Sequence, residues 1–320
     1  MSRTAYIDLL PVERPLLDDV LDGLAERPRR ISPKYFYDAR GCELFDAICG
    51  LPEYYPTRTE LAIMVAHAPQ MAAVLGTDCA LIEIGCGSSA KARLLLDALR
   101  PTAFVAIDIA AEQLKSSCEA LSKLFPQMKT GALRADFEHA IAIPPGLLPA
   151  DRRRVLYFPG STIGNFTPAA AREFLRRWAP LLGRGGRALI GVDLKKDPAR
   201  LHAAYNDADG VTAAFNLNLL ARFNRELGAD FDLSAFRHKA FYDASAGRIE
   251  MHLESLSAQK VTVGGQRFAF AAGESVLTEI SCKYSNDEFR ALAIDAGYSP
   301  VALWSDPDGL FAVHLLQLPG

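Results

Sequence analysis

Short apolar runs alternate with amphipathic stretches between residues 79 and 193. The runs have the length of strands, and the stretches between them place apolar residues at helical spacing. The runs are "CALIEIG", "AFVAIDI", "TGALRAD", "RRVLYFPG" and "GRALIGVD". Strands that are apolar throughout and joined by helices are typical of a parallel sheet covered on both faces. The pattern therefore predicts a doubly wound α/β core.

The pattern changes after this region. Residues 195–235 have helical and loop patterns, and residues 237–284 alternate like antiparallel strands separated by glycine turns. A last helix and two strands then return to the first sheet. We therefore predict a first domain of residues 60–195 plus 286–320. A second, discontinuous domain of residues 1–59 plus 196–285 is expected to bind the substrate, because ligands commonly bind beside such an insertion.

Composition and charge exclude several classes of protein. The chain has 320 residues, half of them hydrophobic, and a net charge of −3, which argues against electrostatic binding of nucleic acid. No apolar run approaches the roughly 20 residues that span a bilayer. The first 15 residues are interrupted by acids and prolines, unlike a secretion signal. The six cysteines and six histidines are dispersed. We therefore expect a cytoplasmic monomer without a bound metal, a membrane or a nucleic-acid partner.

The stretch "EIGCGSSAK", residues 83–91, joins the first strand to the first helix of this core. It contains Gly85-x-Gly87-x-x-Ala90, and glycines let the backbone turn sharply and approach a ligand closely. Asp108 follows about 20 residues later, at the end of the second strand, where an acid can bind ribose hydroxyls. Taken alone, the pattern fits an NAD site, an S-adenosylmethionine (SAM) site or a structural turn.

Neighbouring side chains favour SAM. Glu83 near the end of the first strand would repel a pyrophosphate but attract the sulfonium and amine of SAM. Asp136 follows the third strand and can accept a hydrogen bond from an adenine amino group, with Phe137 beside it to pack on the ring. Lys91, in the first helical turn, can reach the carboxylate of SAM. An NAD-dependent oxidoreductase and a SAM-binding protein without catalytic activity are the alternative classes.

The stretch "FPGSTIGNF", residues 158–166, ends the fourth strand in a loop of small residues. Asn165 is its only sizeable polar side chain. Because α/β proteins usually keep their chemistry at the ends of such strands, the loop is a candidate for the substrate side of the site. Asn165 either holds a substrate nitrogen with its neutral amide or bonds its own backbone in a turn.

Six long stretches of the chain carry a family resemblance, in the same order and over nearly its whole length. They are "SPKYFYDARGCELFDAICGLPEYYPTRTE", "LIEIGCGSSAK", "FPGSTIGNFTP", "AYNDADGVTAAFNLNLLARFNRELGADFD", "RIEMHL" and "LTEISCK". Together they resemble the L-histidine Nα-methyltransferases of ergothioneine biosynthesis. The resemblance implies an α/β fold in which a Rossmann-like SAM-dependent methyltransferase sheet carries an inserted α+β substrate-binding domain. It also implies three successive methyl transfers to the α-amine of L-histidine, giving hercynine. A related fungal group methylates a prenylated tryptophan, so another amino acid such as a tryptophan derivative is the alternative substrate.

The resemblance further implies the residues of two sites, carried over motif by motif. The cofactor site comprises Tyr37, Gly85, Lys91, Asp108, Asp136 and Phe137. The histidine site comprises Tyr54, Asn165, Tyr205, Met251, Glu279 and Ser281. Tyr37 and Asn165 are the candidate catalytic residues, and Tyr54 and Tyr205 are assigned to the substrate carboxylate.

Glu279 and Ser281 are two positions apart in a predicted strand, so their side chains leave the same face. A neutral imidazole has one donor and one acceptor, and a charged imidazole has two donors. A carboxylate beside a hydroxyl satisfies either form, whereas an indole N–H needs a single acceptor. Apart from the resemblance the pair reads as a solvent-facing strand edge; with it, the pair favours histidine over an aromatic substrate.

Overall fold

The structure is a computed structural model that describes residues 4–10, 16–87 and 89–320. Its strands are β1 (Ala5–Asp8), β2 (Arg29–Arg30), β3 (Cys79–Ile84), β4 (Ala103–Asp108), β5 (Lys129–Arg134), β6 (Arg153–Phe158), β7 (Arg187–Asp193), β8 (Phe236–Asp243), β9 (Arg248–Ser255), β10 (Gln259–Val263), β11 (Gln266–Phe270), β12 (Ser275–Cys282), β13 (Ser299–Ser305) and β14 (Phe311–Gln317). Its α-helices are α1 (Leu16–Ala25), α2 (Ala39–Gly50), α3 (Tyr55–Leu75), α4 (Ala90–Leu99), α5 (Ala111–Leu124), α6 (Pro168–Leu182), α7 (Pro198–Tyr205), α8 (Val211–Leu227) and α9 (Asn286–Asp295).

The chain divides into two compact units. Unit 1 contains residues up to Leu10 together with Pro56–Lys195 and Cys282–Gly320, and unit 2 contains Pro11–Tyr55 and Lys196–Ser281. Within the described ranges, no helix combines the length and apolarity needed to cross a membrane. No group of three His, Cys, Asp or Glu side chains in those ranges is arranged to hold a metal ion.

Unit 1 is built on an eight-stranded sheet with the order β1-β5-β4-β3-β6-β7-β14-β13. Strands β3 to β7 pair in parallel, and β14 pairs antiparallel with both β7 and β13. Every residue of β3 is buried, which explains why these strands are apolar throughout. The predicted doubly wound α/β core is confirmed, as is the return of the last two strands to its sheet.

Strand β3 lies between β4 and β6, so the order of the strands along the chain reverses there. At such a point the connections leave to opposite sides and open a crevice at the carboxyl ends of the strands. The loops after β3, β4 and β6 all emerge at this edge. They contain the glycine pattern, Asp108 and the 158–166 stretch, respectively.

The N-terminal strand differs from the predicted domain boundaries. β1 pairs in parallel with β5 at the edge of the large sheet, so residues 5–8 belong to unit 1, whereas the prediction assigned them to the second domain. A four-residue strand without a neighbouring partner in sequence leaves no signal for such a distant pairing. Two other boundaries of the units fall at residues 55/56 and 281/282, a few positions before the predicted ones, and the last falls at 195/196.

Unit 2 contains the antiparallel strands expected in residues 237–284. β8 pairs antiparallel with β9, and β10 with β11. The four-stranded sheet has the order β2-β12-β9-β8, in which the two-residue strand β2 pairs in parallel with β12. Helix α8 packs against this sheet and against α2, and the rings of Phe36 and Phe215 stack with their centroids 4.4 Å apart. This packing forms the core beside which the pocket of unit 2 lies.

Candidate active site

The glycine loop after β3 forms the floor of the crevice in unit 1. Gly85 and Gly87 have φ values of +71° and +38°, in the left-handed region that favours glycine. The Gly85 amide donates to the carbonyl of Ile107 at 2.9 Å, and the Ser117 hydroxyl donates to the carbonyl of Gly87 at 3.1 Å. The loop is thereby tied to β4 and α5 and leads directly into α4.

Asp108, the last residue of β4, faces this loop. Its Oδ1 accepts the amide of Ala110 at 2.9 Å. Burial raises the pKa of the Asp108 carboxyl, while hydrogen bonds from the amides of Ala110, Cys86 and Gly87 act in the opposite direction. The structure therefore places the predicted ribose-binding acid against the backbone of the glycine loop.

Glu83 on β3 is a buried acid whose carboxylate is incompletely satisfied. Among the described residues, its Oε2 atom has no hydrogen-bond partner. Burial raises the pKa of Glu83 well above its ordinary value; Lys91 lowers it, and Asp108 and Glu60 raise it further. An orphaned buried carboxyl among acids suits a ligand that supplies positive charge, and it opposes a pyrophosphate. These residues therefore fit SAM.

Lys91 in the first turn of α4 forms an ion pair with Glu60 of α3. The Glu60 side chain is fully buried, and its two oxygens also accept the Gly160 amide at 2.9 and 3.2 Å. The sequence indicated Lys91 but not Glu60. Helix α3 thus contributes a charged side chain to a crevice otherwise built from strand ends.

Asp136 and Phe137 lie on the connection that follows β5. Asp136 Oδ1 accepts the Glu138 amide at 2.9 Å, and its Oδ2 lies 3.7 Å from Nε2 of His139. The Phe137 ring packs edge-on against Phe158, with the ring centroids 5.8 Å apart. The predicted adenine-binding pair therefore adjoins the first residue of the 158–166 loop.

The 158–166 loop is anchored at both ends and turns sharply between them. Phe158 and Phe166 each stack on Phe174 of α6, with centroid distances of 4.7 and 5.3 Å. A 3-10 turn spans Thr162–Asn165, and the half-buried Asn165 ends it. The turn needs glycine at 164, because a Cβ there would lie 2.8 Å from the carbonyl oxygen of Cys282.

Unit 2 contains a pocket with about 270 Å³ of space between its atoms, part of which is open to solvent. Four of the six residues predicted for the histidine site line it: Tyr54, Tyr205, Met251 and Glu279. The remaining walls, which sequence reasoning did not identify, are mainly apolar: Phe45, Ile48, Ala204, Thr212 and Phe215. The pocket thus combines two phenols and one carboxylate within an apolar wall.

The two pocket tyrosines pack edge-on, with ring centroids 6.3 Å apart. Burial raises the pKa of Tyr54 well above its ordinary value, and the nearby Tyr205 and Glu279 add to the effect. The Tyr54 phenol therefore stays neutral at physiological pH. A neutral phenol can donate a hydrogen bond to a carboxylate.

The other predicted residues are placed as follows. Ser281 lies two residues from Glu279 on β12 and is buried. The Tyr37 ring packs edge-on against Phe45 and Phe215, two residues of the pocket wall, at 5.7 and 6.1 Å. Tyr37 belongs to unit 2. The other cofactor-site residues belong to unit 1, as does Asn165.

A series of hydrogen bonds between buried polar side chains leads to the backbone of a pocket residue. Asn216 is fully buried, accepts the Thr278 hydroxyl at 2.8 Å and donates to Nδ1 of His238 at 2.9 Å. Since Nδ1 accepts, Nε2 of His238 carries the proton and donates to the Tyr205 carbonyl at 2.9 Å. The series therefore holds the backbone of one pocket tyrosine in place.

The reversed sheet, its glycine loop and the acids at its strand ends define a SAM-dependent methyltransferase. A family model described as "Histidine-specific methyltransferase, SAM-dependent" matches residues 16–318. The match covers most of the chain, and the protein belongs to this family.

Curated relatives show the same similarity. The chain is 44% identical to a histidine N-alpha-methyltransferase of Mycolicibacterium smegmatis over 98% of both chains. It is 43% identical to a histidine N-alpha-methyltransferase of Mycobacterium tuberculosis over 93% of both chains. Identity falls to 27% with a 4-dimethylallyltryptophan N-methyltransferase of Aspergillus fumigatus, over 96% of this chain and 95% of the relative.

Proposed function

We propose that this protein transfers methyl groups from SAM to the α-amine of L-histidine, three in succession, and so makes hercynine for ergothioneine biosynthesis. The observation that carries the proposal is the pocket of unit 2, in which Tyr54, Tyr205 and Glu279 lie within one apolar wall. An amino acid with a hydrogen-bonding side chain needs these groups. The higher identity to the two mycobacterial histidine enzymes than to the tryptophan enzyme supports histidine as the substrate.

Each pocket residue has a proposed role. The neutral phenols of Tyr54 and Tyr205 donate to the substrate carboxylate, and Glu279 with Ser281 binds the imidazole. Met251 packs against the substrate. Asn165 holds the amine through its neutral side-chain amide and orients the nitrogen lone pair without adding charge, and Tyr37 is assigned to the cofactor and to catalysis.

SAM, when bound, supplies an electrophilic methyl group. In the proposed cofactor site Gly85 brings backbone close to the ligand, and Lys91 binds its carboxylate. Asp108 accepts its ribose hydroxyls, and Asp136 with Phe137 binds the adenine. Glu83, the incompletely satisfied buried acid, favours a cationic ligand at this site.

The reaction needs little acid–base chemistry from the protein. The nucleophile is the neutral α-amine, and reaching the neutral form at pH 7 costs about 1–3 kcal/mol. Orientation of two reactants can contribute roughly 7–11 kcal/mol, so positioning dominates. Before each transfer the ammonium nitrogen loses one proton to water, directly or through a tyrosine hydroxyl. The third transfer gives a quaternary nitrogen with neither a proton nor a lone pair, and the reaction ends there.

Mass spectrometry of the purified protein with SAM and L-histidine tests the proposal. We expect a product heavier than histidine by three methyl groups. Absence of methylated histidine, while S-adenosylhomocysteine (SAH) still stabilises the protein in thermal unfolding, would reject histidine. A parallel reaction with tryptophan and a prenylated tryptophan would then identify the alternative substrate. Stabilisation by NAD but not by SAM or SAH would instead indicate an oxidoreductase.

The proposal also assigns a ligand to each unit and an oligomeric state to the protein. Unit 1 binds SAM and unit 2 binds the amino acid, and the protein acts as a cytoplasmic monomer on a small molecule. Light scattering after gel filtration tests the monomer: a mass near the chain's 34.8 kDa is expected, and twice that value would reject it.

A further inference from the structure

Glu60 on α3 is a buried charge at the centre of unit 1. A buried carboxylate is stable only when it is paired and hydrogen-bonded. Glu60 meets both conditions, because its oxygens receive the Lys91 ammonium and the Gly160 amide. One carboxylate therefore joins the first turn of α4 to the 158–166 loop, two segments that lie on different sides of β3.

Strand β7 has a glycine where this carboxylate packs against the sheet. A Cβ added to Gly191 of β7 would overlap Oε1 of Glu60 and would lie 3.1 Å from the ring of Phe311. Glycine inside a strand weakens it and marks a close approach by another group. Here the approaching group is the Glu60 side chain, so strand β7 needs glycine at position 191 to accommodate it.

The backbone that Glu60 holds is a strained one. Gly160 has a φ of +75° and Ser161 a φ of +56°, a left-handed conformation that costs a residue with a Cβ about 1–2 kcal/mol. Strained backbone persists only where its surroundings fix it. Glu60 fixes the Gly160 amide, and the Ser161 hydroxyl accepts the amide of Asp193 at 2.9 Å. Asn165 ends the 3-10 turn that follows.

Asp193, which donates the second of these hydrogen bonds to the loop, is itself held by an ion pair. Asp193 forms an ion pair with Lys283 at 2.8 Å, and both side chains are only 1% exposed. The loop is therefore held by two hydrogen bonds, one at Gly160 and one at Ser161, and a buried acidic residue takes part in each. Glu60 also contacts Lys91, the lysine of the proposed cofactor site.

We propose that Glu60 is a positioning residue for methyl transfer, which fixes Lys91 and the Asn165 loop in one arrangement. The inference rests on the proposed function, since it assigns Lys91 to the cofactor and Asn165 to the amine. Without the carboxylate, Lys91 binds the cofactor less well and the loop holds the amine less firmly. Partly methylated products then leave before the third transfer. An ion pair with a purely structural role would affect stability alone.

Glu60→Gln in the full-length protein tests this, because the amide keeps the shape of the side chain and removes its charge. Calorimetric titration with SAH measures cofactor-site affinity without turnover, and mass spectrometry measures the ratio of mono-, di- and trimethylhistidine. We expect SAH binding to weaken about tenfold, equal to about 1.4 kcal/mol, and partly methylated histidine to accumulate. The matched control is Asp97→Asn, which removes an exposed acid from an ion pair on the outer face of α4. It should leave both measurements unchanged.

Two further variants show whether Glu60 acts through Lys91. Lys91→Met should weaken SAH binding, and the double variant Lys91→Met/Glu60→Gln should weaken it no further. The double variant should nevertheless release more partly methylated histidine, because it also loses the tie to the loop. If Glu60→Gln matches the wild type in SAH affinity and product ratio, the inference is wrong even where thermal stability falls. It is equally wrong if the two affinity losses add in full.

Failure of the proposed function would look different. In that case the wild-type protein would not methylate histidine at all. The SAH titrations would still decide whether Glu60 fixes Lys91.

Discussion

Asn165 is the single side chain on which the handling of the substrate amine depends in our proposal. Asn165 is the last residue of a 3-10 turn, and the phenylalanines on either side of this loop pack on Phe174. Asn165→Ala removes a hydrogen-bonding group without changing the charge of the site. We expect the KM for histidine to rise at least about tenfold, the effect of losing roughly 1.4 kcal/mol of binding. SAH affinity should stay unchanged in calorimetric titration. If neither quantity changes, the residue only completes a turn.

Glu279 is the side chain that separates histidine from an indole substrate. Glu279→Ala leaves the imidazole without a charged acceptor, so kcat/KM for histidine should fall roughly 10- to 150-fold, as expected from losing a hydrogen bond to a charged group. An indole substrate, if one is turned over, should lose less. The control is Asp46→Ala, an exposed acid on α2, the helix that gives Phe45 to the pocket wall. Equal losses for histidine and indole would contradict the assignment.

The sequence predicts site residues well where chemistry and local spacing coincide. Gly85 and Asp108 stand at strand ends, where a glycine turn or an acid that ends an apolar run has a recognisable pattern. Glu60 gives no such signal, because it reads as an ordinary helical acid and its partner Gly160 lies 100 positions away. Asn216 has the same difficulty, since its burial depends on a sheet formed by later strands. Tertiary pairing decides the role of both residues.

Some strands can be predicted from the local sequence, whereas others depend on pairing with distant parts of the chain. Strands β3 to β7 were predictable because a parallel strand covered on both faces must be apolar at nearly every position. β1 and β2 have four and two residues and pair with strands far along the chain, so neither burial nor alternation reveals them. Their positions follow from the finished sheets.

The buried amide of Asn216 hydrogen-bonds α8 to three strands of the sheet of unit 2. Asn216→Ala would remove one hydrogen-bond partner from the His252 carbonyl and one from a nitrogen of His238, while the Thr278 hydroxyl would keep only the Met251 carbonyl. We expect roughly 2–4 kcal/mol less stability in urea unfolding and a higher KM for histidine, because the Tyr205 backbone loses its support. Ala214→Ser, at an exposed position of the same helix, should change neither. If stability falls while the KM for histidine stays unchanged, the hydrogen bonds of Asn216 do not position Tyr205 for substrate binding.

At the level of the whole molecule, pH acts through buried histidines. Burial lowers the pKa of His238, and it lowers that of His314 to about 3, with Arg290 adding to the second effect. Between these values and the ordinary pKa near 6.5 the unfolded chain binds more protons than the folded one. Their contribution to stability is therefore complete above about pH 6.5 and is lost as the pH falls. The raised pKa of Glu83 works in the opposite direction.

His314→Gln isolates one of these contributions. Between pH 7.5 and 5 the wild type should lose roughly 2 kcal/mol more stability than the variant, because only the wild type pays for a buried histidine that the unfolded chain can protonate. Urea unfolding at the two pH values measures the difference. Parallel losses in the two proteins would show that His314 does not titrate in this way.

The overlap between a Cβ at Gly191 and the Glu60 carboxylate also constrains how this family can diverge. A larger residue at position 191 would force the buried carboxylate at position 60 out of its place, so the intermediate that carries both is disfavoured. Replacing the acid first passes through an intermediate with free space beside Gly191, in which no atoms overlap. Homologous sequences should therefore contain glycine at 191 wherever they contain glutamate at 60, and ancestral reconstruction should show the acid leaving before the glycine.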